Sequence, residues 1–208
     1  NSYPNLLARQ FALVGGGEFT QPSYAEDDEN LGGLMLDGVQ IANNRLVINT
    51  ELKRNSSGNL IYDSNKNPVL RGVEPRYGTA LSMPFKPSKI EISELQETAY
   101  NNMGVPGAKS FHLLASGYGN VAGVSLGMSN PYFVRHATTP TATVLGDAMS
   151  KNPTFFTNWI GANDVLSYAT NGGAQADGVT PAADHNTTGN LDPSTYGGND
   201  ITNASVFG

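Results

Sequence analysis

The chain has no cysteine. That excludes a disulfide framework, a thiolate nucleophile and cysteine-ligated zinc, and leaves the redox compartment open. Charge is also scarce: Asp, Glu, Lys and Arg make up 14% of residues, and the 12 basic ones are scattered, Lys53-Arg54 being the one adjacent pair, in a chain of net charge −6. No basic stripe exists to neutralise phosphates, so nucleic acid is not an expected partner, nor is an anionic membrane surface. No apolar run approaches the roughly 20 residues of a membrane-spanning helix. The sequence begins at Asn1-Ser2-Tyr3-Pro4, without an initiator Met, a basic segment or an apolar leader, and reads as a processed, trimmed or excised chain.

What is present is glycine, at 24 of 208 residues, with 38% hydrophobic residues. The length suits one domain with a substantial core, and the glycines imply many turns. With so few charges, Asn, Ser, Thr and main-chain groups must wet the surface.

Apolar periodicity divides the chain. Leu6, Leu7, Ala8, Phe11 and Ala12 predict a helix over 4–13, stopped by Gly15-Gly16-Gly17. No Gly-Lys-Ser/Thr follows those glycines, so they read as a turn and not as a phosphate loop. Residues 15–38 read as loop, including the acidic run Glu26-Asp27-Asp28-Glu29, whose spacing matches no calcium loop. Over 39–72 the period changes to two. Leu46-Val47-Ile48, a turn at Asn55-Ser56-Ser57-Gly58, Leu60-Ile61-Tyr62 and a second turn at Asn65-Lys66-Asn67-Pro68 predict a β-hairpin insertion. Residues 72–89 read as a proline-rich connection, and 109–115 as a possible helix start.

Further on, Val144, Leu145, Ala148 and Met149 predict a helix within 141–152, ended by Pro153. The run Thr154 to Ile160 then predicts a buried strand with Trp159, the single tryptophan, in the core. Asp164 is placed to cap another helix, ended by Gly172-Gly173. Residues 172–208 read as a polar loop region, long or poorly ordered. Helix, connection, strand, helix is an α/β pattern.

Strand, then Gly161-Ala162-Asn163-Asp164, then helix places polar residues where α/β sheets bind ligands. This segment resembles the third conserved block of the SGNH/GDSL-type hydrolases, Gly-x-Asn-Asp. Asn102-Met103-Gly104-Val105-Pro106-Gly107 is similar to their second block, Asn-x-Gly-x-x-Gly. The phrases Asn152-Pro153-Thr154-Phe155-Phe156-Thr157, Tyr168-Ala169-Thr170-Asn171-Gly172-Gly173, Ser2-Tyr3-Pro4-Asn5-Leu6-Leu7 and Val14-Gly15-Gly16-Gly17-Glu18-Phe19 look like a bacterial, often lipoprotein-anchored branch of that family.

The resemblance implies a three-layer α/β/α, flavodoxin-like domain with a parallel sheet. It implies hydrolysis of a carboxylic ester or lipid acyl group without a cofactor or metal, on a secreted or outer-surface bacterial protein. It also implies that the main-chain N–H of Gly107 and the side-chain amide of Asn163 hold the oxyanion, with Gly104, Gly161 and Asp164 lining the substrate site. Such donors suit the chemistry, because they must aim at the point where negative charge develops.

Two of the family's blocks are absent. No Gly-Asp-Ser occurs, and no Asp-x-x-His follows near residue 208. An oxyanion site without an activated serine does little, so the 208 residues alone are expected to be inactive. Three explanations stand open: a fragment, a chain completed by another polypeptide of a surface complex, or a non-catalytic binding or assembly subunit on the same scaffold. His112, His136 and His185 are the available stand-in bases. His112 sits in an apolar stretch, and no two of the three have helical metal-ligand spacing.

Overall fold

The computed structural model describes residues 3–23, 32–43, 46–75 and 90–207. They form two compact units, one of residues 1–22 and 94–208 and the other of 23–93. The acidic run at 26–29 and the connection at 76–89 lie outside the described residues.

The second unit contains two antiparallel hairpins. β1 (Leu34–Leu36) pairs with β2 (Val39–Ala42) across the dipeptide Asp37-Gly38, with φ of 50° and 77°. Positive φ at both central positions is the turn geometry that matches strand twist, and Asp-Gly adopts it readily. Glu91 fixes the turn, its carboxylate accepting the Asp37 and Gly38 N–H groups at 3.2 and 3.0 Å. Slight burial opposes ionisation of Glu91, but these bonds and those from Ser93 outweigh it and hold its carboxyl below the usual range. Leu34, Ile90 and Ile92 are buried beside this turn. Reading 15–38 entirely as loop was therefore incorrect at Leu34–Leu36.

β3 (Leu46–Leu52) pairs with β4 (Leu70–Pro75), not with Leu60-Ile61-Tyr62 as the alternation suggested. Residues 53–69 form the tip, an eight-residue backbone motif repeated. The Asn55 side-chain oxygen accepts the N–H groups of Ser57 and Asn59, and Asp63 does the same for Asn65 and Asn67, at 2.8–3.0 Å. Each copy ends its turn in a left-handed residue, Gly58 at φ 80° and Lys66 at φ 63°. Three main-chain bonds close a ring: Lys53 N–H to Val69 O at 2.7 Å, and Ile61 N–H to Lys53 O and Val69 N–H to Ile61 O at 2.9 Å. Local side-chain capture of the backbone wins over strand extension here.

The first unit is built of short helices and turns. α1 (Tyr3–Ala12) forms where the apolar spacing placed it. After a tight turn at Ser110–Leu114 come α2 (Pro131–Val134), α3 (Val144–Ser150), α4 (Asn163–Thr170), α5 (His185–Thr188) and α6 (Ala204–Phe207). Thr143 caps α3 by accepting the Gly146 N–H at 3.0 Å, and the helix stops before Pro153. The core is Ala108, Tyr118, Phe133, Ala137 and Val144, with Met103, Val105, Leu113 and Ile160 against it.

Two expectations for this unit are corrected, the buried strand at 154–160 and the bare loop at 172–208. Residues 154–160 do not form a strand, and no hydrogen bond involves them among the described residues. Phe156 is 76% exposed and Trp159 81%, so Trp159 is not a core residue. A strand needs a neighbour for its N–H and C=O groups, and none is supplied. Among the described residues the only sheets are two-stranded and antiparallel, and the parallel sheet of an α/β/α sandwich is not seen. Residues 172–208 are not a bare loop either. Asp184 and Asp192 cap α5 and a turn at Pro193–Thr195, and Asn203 donates to His185 O at 2.8 Å.

Phe133 has no exposed surface in this small core. Phe133→Ala should cost about 3–5 kcal/mol of stability, read as a fall in the urea midpoint. A loss below about 1 kcal/mol would mean that the site collapses around the cavity.

Candidate functional site

The two blocks singled out in the sequence meet in the first unit. The Asn163 amide nitrogen donates to Ala108 O at 2.9 Å, which puts the start of α4 on the residue directly after Gly107. Gly107 has φ +78°, a conformation other residues rarely adopt, and no added side chain would meet an atom there. Its N–H has no acceptor among the described residues. Asn163 offers two amide protons, and Ala108 takes one.

Asp164 does not occupy the capping position expected of it. α4 begins after Ala162, which makes no side-chain cap. The Asp164 carboxylate is buried and turned toward Ser110, accepting its main-chain N–H at 2.9 Å and its hydroxyl at 2.8 Å. It therefore holds the Ala108–Ser110 segment and does not face the cleft. Gly104 donates its N–H to Asn102 Oδ1 at 3.1 Å, and Gly161 takes φ +113° beneath the Phe207 ring.

Gly104, Gly161 and Asn163 line a cleft of about 650 Å³, together with Ala108 and the Asn102–Pro106 turn. α1 forms a further wall of it. Phe11 meets Phe155 edge-on with ring centroids 5.1 Å apart, and Tyr3 meets Trp159 at 5.8 Å. Trp159 is thus a wall of the cleft. The 154–160 run had been read as core from its apolar, β-branched composition, and the same composition describes an aromatic wall.

Behind the cleft lies a buried polar network. Lys109 is buried and donates from Nζ to Asp200 O at 2.7 Å. Burial lowers its pKa, and the charges of Asp164 and Asp200 partly restore it. Asp200 accepts from Gln175 Nε2 and the Gly197 N–H at 2.6 Å, from the Ala183 N–H at 2.8 Å, and contacts His185 Nε2 at 2.8 Å. Burial opposes its ionisation, but these bonds prevail and keep its carboxyl below the usual range. Ser110 and Lys109 carried no sequence signal for these roles, because neither belongs to a spaced pattern.

None of the three histidines lines the cleft. His185 lies flat on Tyr196 with centroids 3.8 Å apart, both ring nitrogens engaged, the other at 3.0 Å from Thr188 Oγ1. His112 accepts the Lys109 N–H through Nδ1 at 3.0 Å, which requires the neutral ring. Burial pushes its pKa down to about 4, Lys109 adds to the drop, and Asp164 opposes it. Burial likewise pushes His136 down to about 4, with Asp147 opposing and Arg135 reinforcing. Among the described residues no three His, Asp or Glu side chains converge to hold a metal ion, and no helix is long and apolar enough to cross a membrane.

No protein-family model matches the chain, and neither a curated protein nor a solved structure does.

Two measurements follow from this geometry. Between about pH 6.5 and 4 an unfolded chain binds protons at His112 and His136 that the folded chain refuses, so stability should fall as pH drops through that window. Urea midpoints at pH 7.5 and 4.5 check this, and the double variant His112→Gln, His136→Gln should flatten the dependence. Asp164→Ala leaves the buried Ser110 N–H and hydroxyl without their acceptor and should cost about 2–4 kcal/mol. Asp164→Asn, keeping one acceptor oxygen, should cost less in the same denaturation assay.

Proposed function

We propose that these 208 residues are the central part of an SGNH/GDSL-type serine ester hydrolase on a three-layer α/β/α scaffold, secreted or held at a bacterial outer surface. The serine and histidine of the enzyme come from polypeptide not contained in this sequence. The observation that carries the reading is the 2.9 Å bond from the Asn163 amide to Ala108 O. It joins the amide of one block, which lines an apolar cleft, to the residue that follows the glycine of the other; Gly107 itself is not among the lining residues.

When a serine oxygen adds to the ester carbonyl, the carbonyl oxygen gains a full negative charge. In this proposal the Gly107 N–H and the second proton of Asn163 Nδ2 point at that oxygen. Because the bond to Ala108 O already fixes the Asn163 amide, little reorganisation of that donor is needed as charge develops. Gly104 and Gly161 line the same cleft. The three histidines are turned away from the cleft, in keeping with a base supplied from elsewhere.

A second reading also has an observation in its favour. The exposed row Phe155, Phe156 and Trp159, with backbone groups unpaired among the described residues, suits a surface covered by another polypeptide. On that reading the scaffold is a non-catalytic binding or assembly subunit.

The deciding experiment uses a polypeptide extended to include Gly-Asp-Ser and histidine blocks, assayed on p-nitrophenyl esters. Asn163→Ala should lower kcat by about 100- to 1000-fold with a much smaller change in KM. Circular dichroism should show the variant folded. Absence of turnover in the extended wild type would favour the binding subunit.

A further inference from the structure

The walls of the cleft differ in charge from the rest of the chain. Eighteen acidic residues give the chain its net charge of −6. None of those among the described residues lines the cleft. Among the described residues its one charged lining residue is Lys151, at the C-terminal cap of α3. The Lys151 ammonium makes no ion pair or hydrogen bond among the described residues. Leu7, Phe11, Met149, Phe155 and Trp159 supply apolar surface beside it, much of it exposed. The volume of about 650 Å³ is that of a small-molecule site, which typically spans about 300–1,000 Å³.

A neutral ligand would leave Lys151 unused, and a cationic one would meet it as a like charge. A doubly charged ligand would find one cation and no other charged partner. We propose that the cleft binds a singly anionic amphiphile, its apolar body against the α1 and 154–160 walls and its negative group at Lys151. This inference rests on the reading of the cleft as the substrate site, and it narrows that substrate to an ester that itself carries one acidic group.

The test needs no turnover. Trp159 is the single tryptophan and lines the cleft, so its fluorescence reports occupancy directly. The 208-residue chain is titrated with decanoate, decan-1-ol and decylamine, each below its micellar concentration or solubility limit. Saturable one-to-one binding is expected, with decanoate tighter than decan-1-ol by about two- to fivefold, the reach of a solvent-accessible ion pair, and decylamine weakest. The preference should shrink from 10 mM to 0.5 M salt. Lys151→Met keeps most of the apolar stem and should equalise decanoate and decan-1-ol, while the decan-1-ol affinity stays within about twofold.

Equal binding of decanoate and decan-1-ol by the wild type overturns the anionic preference, as does a preference that survives in Lys151→Met. Either result leaves the ester-hydrolase reading to the Asn163 measurement. Saturable binding of none of the three overturns this inference and the assignment of the cleft as a ligand site together. The oxyanion geometry would then be judged by kcat alone.

Discussion

Two consecutive side chains at the start of α4 hold the first unit together at its centre. Asn163 donates to Ala108 O, and Asp164 accepts from the Ser110 N–H and hydroxyl across 54 residues of sequence. The Asp164 carbonyl, in turn, accepts the Thr202 N–H at 3.1 Å, so one helical turn clamps a segment on either side. Bonds to a buried carboxylate are about twice as strong as neutral ones, and breaking them leaves polar groups stranded away from water. The turn thereby ties the Ala108–Ser110 segment and Thr202 to the start of α4.

The rest of the unit is consistent with a chain poor in charge and in long apolar runs. Its regular elements are short, and the groups they leave unsatisfied are taken up by small polar side chains. Asn120, Asn130, Asp184 and Asp192 each accept the N–H two residues further on, and Thr143 does so three residues on. Such caps supply what longer helices would obtain internally. The buried apolar cluster is correspondingly small, and rings stacked on rings, His112 on Tyr118 and His185 on Tyr196, extend it.

How much of this could be read beforehand depended on whether the determinant was local. α1 and α3 follow from apolar spacing with a cap or a stop beside it. The meeting of the 102–107 and 161–164 blocks was legible as a motif pair. Asp37-Gly38 was a hairpin signal in plain view, passed over because the glycine-rich stretch before it lacks periodicity. Leu60-Ile61-Tyr62 misled because three apolar residues suit a strand, whereas the Asn55 and Asp63 side chains had already captured the backbone around them. Asp164 looked like a cap, since a cap is a local role, and its partner Ser110 is remote. Residues 154–160 had strand composition, but composition cannot say whether a neighbouring strand is there to pair with.

The doubled turn at residues 53–69 has an implication for how freely that surface can vary. Its closure uses main-chain atoms and one acceptor oxygen per copy, from Asn55 and Asp63. The hydroxyls of Ser56, Ser57 and Ser64 take no part in it among the described residues. Sequence can drift at these three sites while the loop keeps its shape, as in a scaffold that displays interchangeable side chains from a fixed frame. Such a tip is suited to presenting short foreign epitopes.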